Sequence, residues 1–337
     1  MVADFVSADY GWLCSSDGSE RARVFFKPGK NRDGYFDCND IIEQVGTAMD
    51  IVQTHFPDEE HVFIFDNATT HTKRADDALS ARKMPKNTPQ PGKNWGVSVM
   101  ERDASGKIIY NTDGKPKKVI RRMADARLPN GEPHPLYFPS GHPQAGVFKG
   151  MAKILEERGL LKESKLKAEC KKFKCLPGQT ACCIRHVLYN QPDFVAVKSE
   201  LEIACERRGF RVIFLPKFHC ELNFIEMCWG YAKRIYRQYP PSKDEGQLKE
   251  NLISALESVP LGTMRRQVVS RQLVACRAHC CRFARRSGRF IDAYRCGLDG
   301  KWAAWAARKY RSHRVLPESL MMDLDKEKRR EPRQGMP

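Results

Sequence analysis

The stretch 210–239, FRVIFLPKFHCELNFIEMCWGYAKRIYRQY, limits the folds open to this chain more than any other. Val212-Ile213-Phe214-Leu215 is short, apolar and β-branched or aromatic, the pattern of a buried strand. Pro216 ends it, because proline cannot donate to a strand ladder. A polar loop follows, and from Ile225 apolar residues recur at helical spacing. Strand, loop and helix in that order belong to an α/β chain. Glu226 falls in the first turn of the helix, just beyond the strand's carboxyl end, where open sheets form clefts. Taken alone it reads equally well as the capping partner of Asn223.

The chain ahead of this stretch carries similar elements. Residues 1–7 read as a strand around Asp4, and 22–27 as a second strand. A helix over roughly 40–55, capped by Asp37 or Asn39, places Ile41, Val45, Ala48, Met49 and Val52 on one face. Residues 61–65 form another buried-strand pattern, which runs into Asp66-Asn67, with His71 beyond. Two short apolar runs, 97–100 and 107–110, flank Ala104-Ser105-Gly106 and predict a hairpin. A basic run at 115–122 and a Pro-rich irregular stretch follow, then helices over 145–158 and 197–208. Beyond 239 the chain reads as helical to about residue 311.

Charge is unevenly placed along the 337 residues, whose net charge is +17. Residues 1–60 hold 5 Lys/Arg against 12 Asp/Glu, a net −7, and residues 261–337 hold 19 against 7, a net +12. This polarity predicts an acidic or cation-binding front and a polyanion-binding rear, with nucleic acid as the partner. No run of about 18 apolar residues marks a membrane span, and the first residues lack a secretory pattern. Thirteen cysteines without such a leader are read as buried thiols or metal ligands rather than disulfides. Cys170, Cys175, Cys182, Cys183 and His186 lie within 17 residues and fit a tetrahedral Zn²⁺ site or, alternatively, buried thiols.

Asp4, Asp66 and Glu226 sit on or just past predicted strands. Each has a local explanation, but together with a basic rear they suggest oxygen ligands for Mg²⁺ or Mn²⁺. Two such ions can activate an attacking oxygen and stabilise the leaving oxygen of a phosphodiester. Lys233, seven residues after Glu226, shares its helix face, with Arg234 and Arg237 on adjacent faces. Lys217 and His219 lie in the preceding loop. These five are candidate DNA contacts, and His71 is a candidate auxiliary group beside Asp66.

FIFDNATTH (63–71) resembles the second-acid motif of DDE transposases of the mariner superfamily. LPKFHCELNFIEMCWGYAK (215–233) resembles their third-acid motif, and VADF (2–5) their first-acid strand. The wider chain is similar to a fungal group of such proteins through KPGKNRDGYF, ADDALSARKMPKN, NQPDF, RFIDAYRCGL and KYRSHRVLP. The resemblance implies an α/β, RNase H-like mixed sheet flanked by helices. It makes Asp4, Asp66 and Glu226 the ligands of two Mg²⁺ or Mn²⁺ ions for DNA cleavage and strand transfer. A DNA substrate and the basic tail predict a nuclear location, and a homodimer is a further expectation. Asp66 and Glu226 stand 160 positions apart, which requires a large insertion before the last catalytic strand. The expected organisation is a core in two parts, 1–83 and 206–258, around an insertion at 84–205. A basic helical region at 259–315 and a disordered basic tail at 316–337 follow. Phe224 stands where the family has Pro, and nothing here matches the family's N-terminal DNA-binding region. The alternative is therefore a decayed or domesticated DNA-binding protein without catalysis.

Overall fold

The structure is a computed structural model that describes residues 1–29, 32–90, 92–103, 108–171, 174–176, 178–264, 282–309 and 322–325. The chain forms two compact units, one of Met1–Thr72 with Leu201–Pro337, the other of Lys73–Glu200.

The first unit opens with four short strands: β1 (Val2–Ala3), β2 (Val6–Ser7), β3 (Gly11–Trp12) and β4 (Val24–Phe25). β1 pairs antiparallel with β4, and β2 with β3. Asp4 and Phe5 fall between the first two strands, so the strand expected over 1–7 is interrupted at the acid. Helix α1 (Cys38–His55) begins at a reciprocal cap. The Asp37 carboxylate accepts from the Asn39 amide, and the Asp40 carboxylate accepts from the Asp37 amide at 2.6 Å. Such a cap satisfies amides that the first helical turn leaves free. Its stripe of Ile41, Val45, Ala48, Met49 and Val52 is buried with Phe63 and Phe65 of β5 (Val62–Phe65).

The chain then builds the second unit. β6 (Val97–Met100) pairs antiparallel with β7 (Lys118–Arg121), which corrects the predicted hairpin partner at 107–110. The basic run carries β-branched Val119 and Ile120, and this pair fits the ladder despite the flanking charges. Residues 108–110 add only isolated bridges, Ile108 to Arg102 and Tyr110 to Pro116. β8 (Ala126–Arg127) pairs with β9 (Pro133–His134). Helices α2 (Met151–Glu157), α3 (Ile184–Tyr189) and α4 (Pro192–Val195) follow. Tyr137, Phe148, Met151, Ile154, Leu155, Ile184 and Leu188 form this unit's own core. The Arg158 guanidinium grips the Asp193 carboxylate with both arms, at 2.9 and 2.8 Å, and ties the end of α2 to α4.

On its return the chain forms α5 (Glu200–Glu206) and β10 (Arg211–Phe214). β10 lies parallel to β5, with Val212 beside Phe63 and Phe214 beside Phe65. Both strands were expected to be buried throughout. Only one face of β5 is, for Ile64 and its neighbour Ile213 are exposed while Phe63 and Phe65 point into the core. Helices α6 (Ile225–Tyr236), α7 (Glu245–Glu257), α8 (Leu261–Met264), α9 (Arg282–Arg295) and α10 (Gly300–Lys309) complete the first unit. Trp12 packs with Cys228, Ala232, Leu256 and Met264 in a second core, and its indole Nε1 donates to the Leu256 carbonyl at 3.0 Å.

The fold is thus mixed α/β. Among the described residues its strands form four antiparallel pairs and one parallel pair, not one continuous sheet. The tail expected at 316–337 lies outside the described residues except for 322–325.

Helix α2 starts later than periodicity predicts because Gly150 precedes it at φ +87°. A Cβ there would meet the Asn87 carbonyl carbon at 2.5 Å and the Thr88 nitrogen at 2.7 Å. Gly150→Ala should therefore cost roughly 2–4 kcal/mol from left-handed strain plus the backbone clash. Denaturant unfolding would reveal this, and an unchanged midpoint would refute it.

Candidate functional site

Parallel pairing sets the position of two of the acids. Leu215 donates its amide to the Phe65 carbonyl at 2.8 Å, so the chain leaves both strands at the same edge. Asp66 is the next residue on one strand, and the loop leading to Glu226 leaves the other. The Asp66 carboxylate is 53% exposed and takes a 2.5 Å contact from His71 Nδ1. The His71 ring also packs on Phe65 with centroids 5.2 Å apart, so this histidine orients the acid.

Glu226 lies exposed in the first turn of α6. No side chain caps this helix, so Glu226 is not the capping partner of Asn223. The exposed residues Glu226, Gly230, Lys233 and Arg237 recur at helical spacing and form one stripe along α6, with Arg234 beside it. Lys233 stands about 10 Å along the axis from Glu226. Its stem helps line a cavity of about 350 Å³ with Val2, Trp229, Tyr236 and Leu252. The Arg234 guanidinium lies over the Tyr231 ring at 4.8 Å.

Asp4 differs from the other two. Its side chain is 1% exposed. One carboxylate oxygen accepts from the Phe5 amide at 2.8 Å, and the other takes Arg23 Nε at 2.5 Å. Arg23 Nη1 reaches Glu257 at 2.8 Å, while buried Nη2 has no partner among the described residues. Burial outweighs the Arg23 guanidinium and the Phe5 amide and pushes Asp4 from the usual 3.8 up to about 6.

Ring contacts link the segments that carry the acids. Phe5, beside Asp4, meets Phe63 at 5.6 Å and Phe65 at 5.9 Å, and Asp66 follows Phe65. Trp229, one turn from Glu226, meets Trp12 at 5.1 Å, and Arg23 covers the Trp12 ring at 5.3 Å. The three carboxylates nevertheless do not form a converging group of ligands among the described residues. Asp66 Oδ1 takes His71 and the Ala68 amide, which leaves Asp66 Oδ2 and the exposed Glu226 carboxylate to suit a hard cation. Both oxygens of Asp4 are engaged, so a cation there must displace Arg23 or share its carboxylate.

The loop between β10 and α6 shows what sequence reasoning missed. Phe218 is 99% exposed and has φ +66°. Lys-Phe-His after a strand-ending proline marks a loop, but no local pattern marks the exposure of its aromatic residue. Lys217 beside it is exposed. His219 is engaged instead, with Nδ1 at 2.8 Å from Glu221 and its ring 4.7 Å from Tyr294. Although burial of Glu221 acts the other way, hydrogen bonds from Tyr294 and His219 keep its carboxyl below the usual range.

The second unit holds a separate cluster. Cys170, Cys175, Cys182 and Cys183 bring their sulfurs within 4.8 Å of one another, the only such group of Cys, His, Asp or Glu among the described residues. Three are partly exposed and only Cys183 is buried, which disfavours the buried-thiol alternative. His186 Nδ1 approaches Cys182 Sγ at 3.2 Å, outside the four-sulfur group. Such a cluster could bind a metal such as zinc.

No family profile, curated protein or solved structure matches this chain.

The sign of the Asp4 shift has a measurable consequence. A raised folded value means that the folded chain holds this proton more tightly than the unfolded one, so stability falls as pH rises from about 4 to about 6. Relative to Asp4→Asn, the wild type should lose up to about 3 kcal/mol across that window and little beyond it. Denaturant unfolding of both proteins at several pH values tests this, and parallel profiles would refute it.

Proposed function

We propose that the first unit is an RNase H-like core of the DDE transposase type, acting on DNA phosphodiesters. The supporting observation is the shared carboxyl edge of β5 and β10, with Asp66 leaving one strand and the Glu226 loop leaving the other. The Asp4 segment packs against the same strands through Phe5. Asp66 and Glu226, joined by Asp4, would hold Mg²⁺ or Mn²⁺. When bound, these ions supply charge for activation of the attacking oxygen and departure of the leaving oxygen.

The chain's own residues have separable tasks in this reading. His71 fixes the rotamer of Asp66. Lys233, Arg234 and Arg237 track the phosphate backbone beside Glu226, which makes binding salt-sensitive. Phe218, projecting beside Lys217, offers a face on which an unpaired base can stack. DNA is the proposed partner, with a homodimer and a nuclear location as further parts of this reading.

The buried Asp4–Arg23 pair favours a second reading, a transposase-derived DNA-binding protein without catalysis. Labelled DNA incubated with Mn²⁺ separates the two. Metal-dependent nicking that disappears in Asp66→Ala and in Glu226→Ala is expected for the enzyme, while binding without nicking in any form leaves only the second reading.

Phe218→Ala should weaken single-stranded DNA binding by roughly 1–3 kcal/mol, about 5- to 150-fold, with unfolding unchanged. Fluorescence anisotropy measures this, and equal affinity would remove Phe218 from the interface.

A further inference from the structure

We propose that Cys170, Cys175, Cys182 and Cys183 hold one Zn²⁺ that staples the segment 170–183 onto the second unit. The inference is independent of any reading of the first unit.

The backbone brings the two ends of this segment together before any metal is considered. Ile184 donates its amide to Lys167 at 3.0 Å, and Arg185 donates to Ala168 at 3.1 Å. Arg185 Nε also binds the Glu169 carboxylate at 2.9 Å, and another arm of the same guanidinium reaches the Ala81 carbonyl. Cys170 and Cys183 therefore follow and precede a fixed crossing. Cys183 immediately precedes α3, whose Ile184, Val187 and Leu188 are buried in the core. One side of the proposed site thus rests on rigid structure.

The described residues of the intervening segment have no such support of their own. Among the described residues from 171 to 181 none is buried, and Leu176 is 65% exposed. Exposed chain without a hydrophobic core cannot recover its conformational entropy by burial. Yet Cys175 and Cys182 bring their sulfurs to the same point as Cys170 and Cys183. Convergence of four soft ligands in a segment without a core is the arrangement that a structural metal stabilises.

The chemistry selects the ion. Four sulfurs in a compact group suit a tetrahedral centre, and Zn–S bonds of about 2.3 Å place sulfurs roughly 3.8 Å apart. The observed sulfurs lie within 4.8 Å and need only a small inward closure. Four thiolates around Zn²⁺ carry a formal charge of about −2. Residues 162–174 supply Lys162, Lys165, Lys167, Lys171, Lys172 and Lys174 against Glu163 and Glu169, a local excess of cations that offsets it. His186, 3.2 Å from Cys182, is the positioning residue for that sulfur, not a fifth ligand.

The test uses the full chain, purified with reductant and without chelator. Metal analysis should find about one Zn²⁺ per chain, retained in Cys220→Ser and lost in Cys175→Ser and Cys182→Ser. Co²⁺ added to chelator-treated wild type should give the visible bands and sulfur charge-transfer absorption of tetrahedral thiolate coordination. His186→Ala should keep that spectrum while losing roughly 10- to 100-fold in Zn²⁺ affinity. If the cysteine variants fail to fold, tryptic cleavage of the wild type decides. Chelator should speed cleavage after Lys171 and Lys174 by loosening the segment, and added Zn²⁺ should slow it again. Reduced protein that binds neither Zn²⁺ nor Co²⁺, cysteine variants with full zinc content, iron in place of zinc, or disulfides among the four would overturn the proposal. A Co²⁺ spectrum altered in His186→Ala would overturn the four-sulfur assignment.

Discussion

The parallel pairing of β5 with β10 is the constraint on which the first unit depends. Phe65 and Phe214 are adjacent in register although 149 positions apart in the chain. Every residue from Lys73 to Glu200 must leave and return within the span that this pairing allows. The penalty for closing so long a loop grows only with the logarithm of its length, so a well-packed insertion adds little to it. The second unit meets that condition with a core of its own around Tyr137, Phe148 and Leu188. The same pairing fixes which residues meet at the strand ends. A slip of one residue would turn Phe63 and Phe65 out of the core and move Asp66 with them.

The three acids of the first unit solve the problem of negative charge differently. Asp66 and Glu226 remain at the surface, where water stabilises their charge. Asp4 is buried against Arg23, whose guanidinium balances its charge and covers the Trp12 ring. Arg23 is itself held by Glu257 and by the Trp12 ring, so the pair belongs to a packed network and is not a surface contact. A carboxylate this enclosed is a weak cation ligand until its partner moves.

Much of this arrangement was legible from residue patterns. The apolar period of α1, its Asp37 cap and the strands at Phe63 and Phe214 follow from local chemistry, and the structure contains each. Local signals failed where the decision was made at a distance. Residues 107–110 resembled a strand as closely as 118–121 did, and only three-dimensional pairing selected the latter for Val97–Met100. The burial of Asp4 was equally hidden, because Arg23 lies 19 positions away and no short motif links them. Phe218 is the opposite case. An aromatic residue is expected inside, whereas Phe218 is 99% exposed in a loop where its φ is +66°.

Polar groups withdrawn from water need compensation, and Asp4 and the cysteine cluster obtain it by different means. At Asp4 the positive charge is covalently part of the chain, in Arg23, so a metal would compete with a side chain. At the cysteines the protons themselves serve. Cys175 is pushed up to about 12 by burial and by its hydrogen bonds to Cys182 and Cys170. Although burial acts the other way, hydrogen bonds from Cys182, Cys175 and Cys183 lower Cys170. A soft divalent ion displaces such protons readily at neutral pH and releases them to solvent. No rearrangement of packed side chains is required, because the backbone has already gathered the sulfurs. On physical grounds the second unit is therefore better prepared to receive a metal than the first.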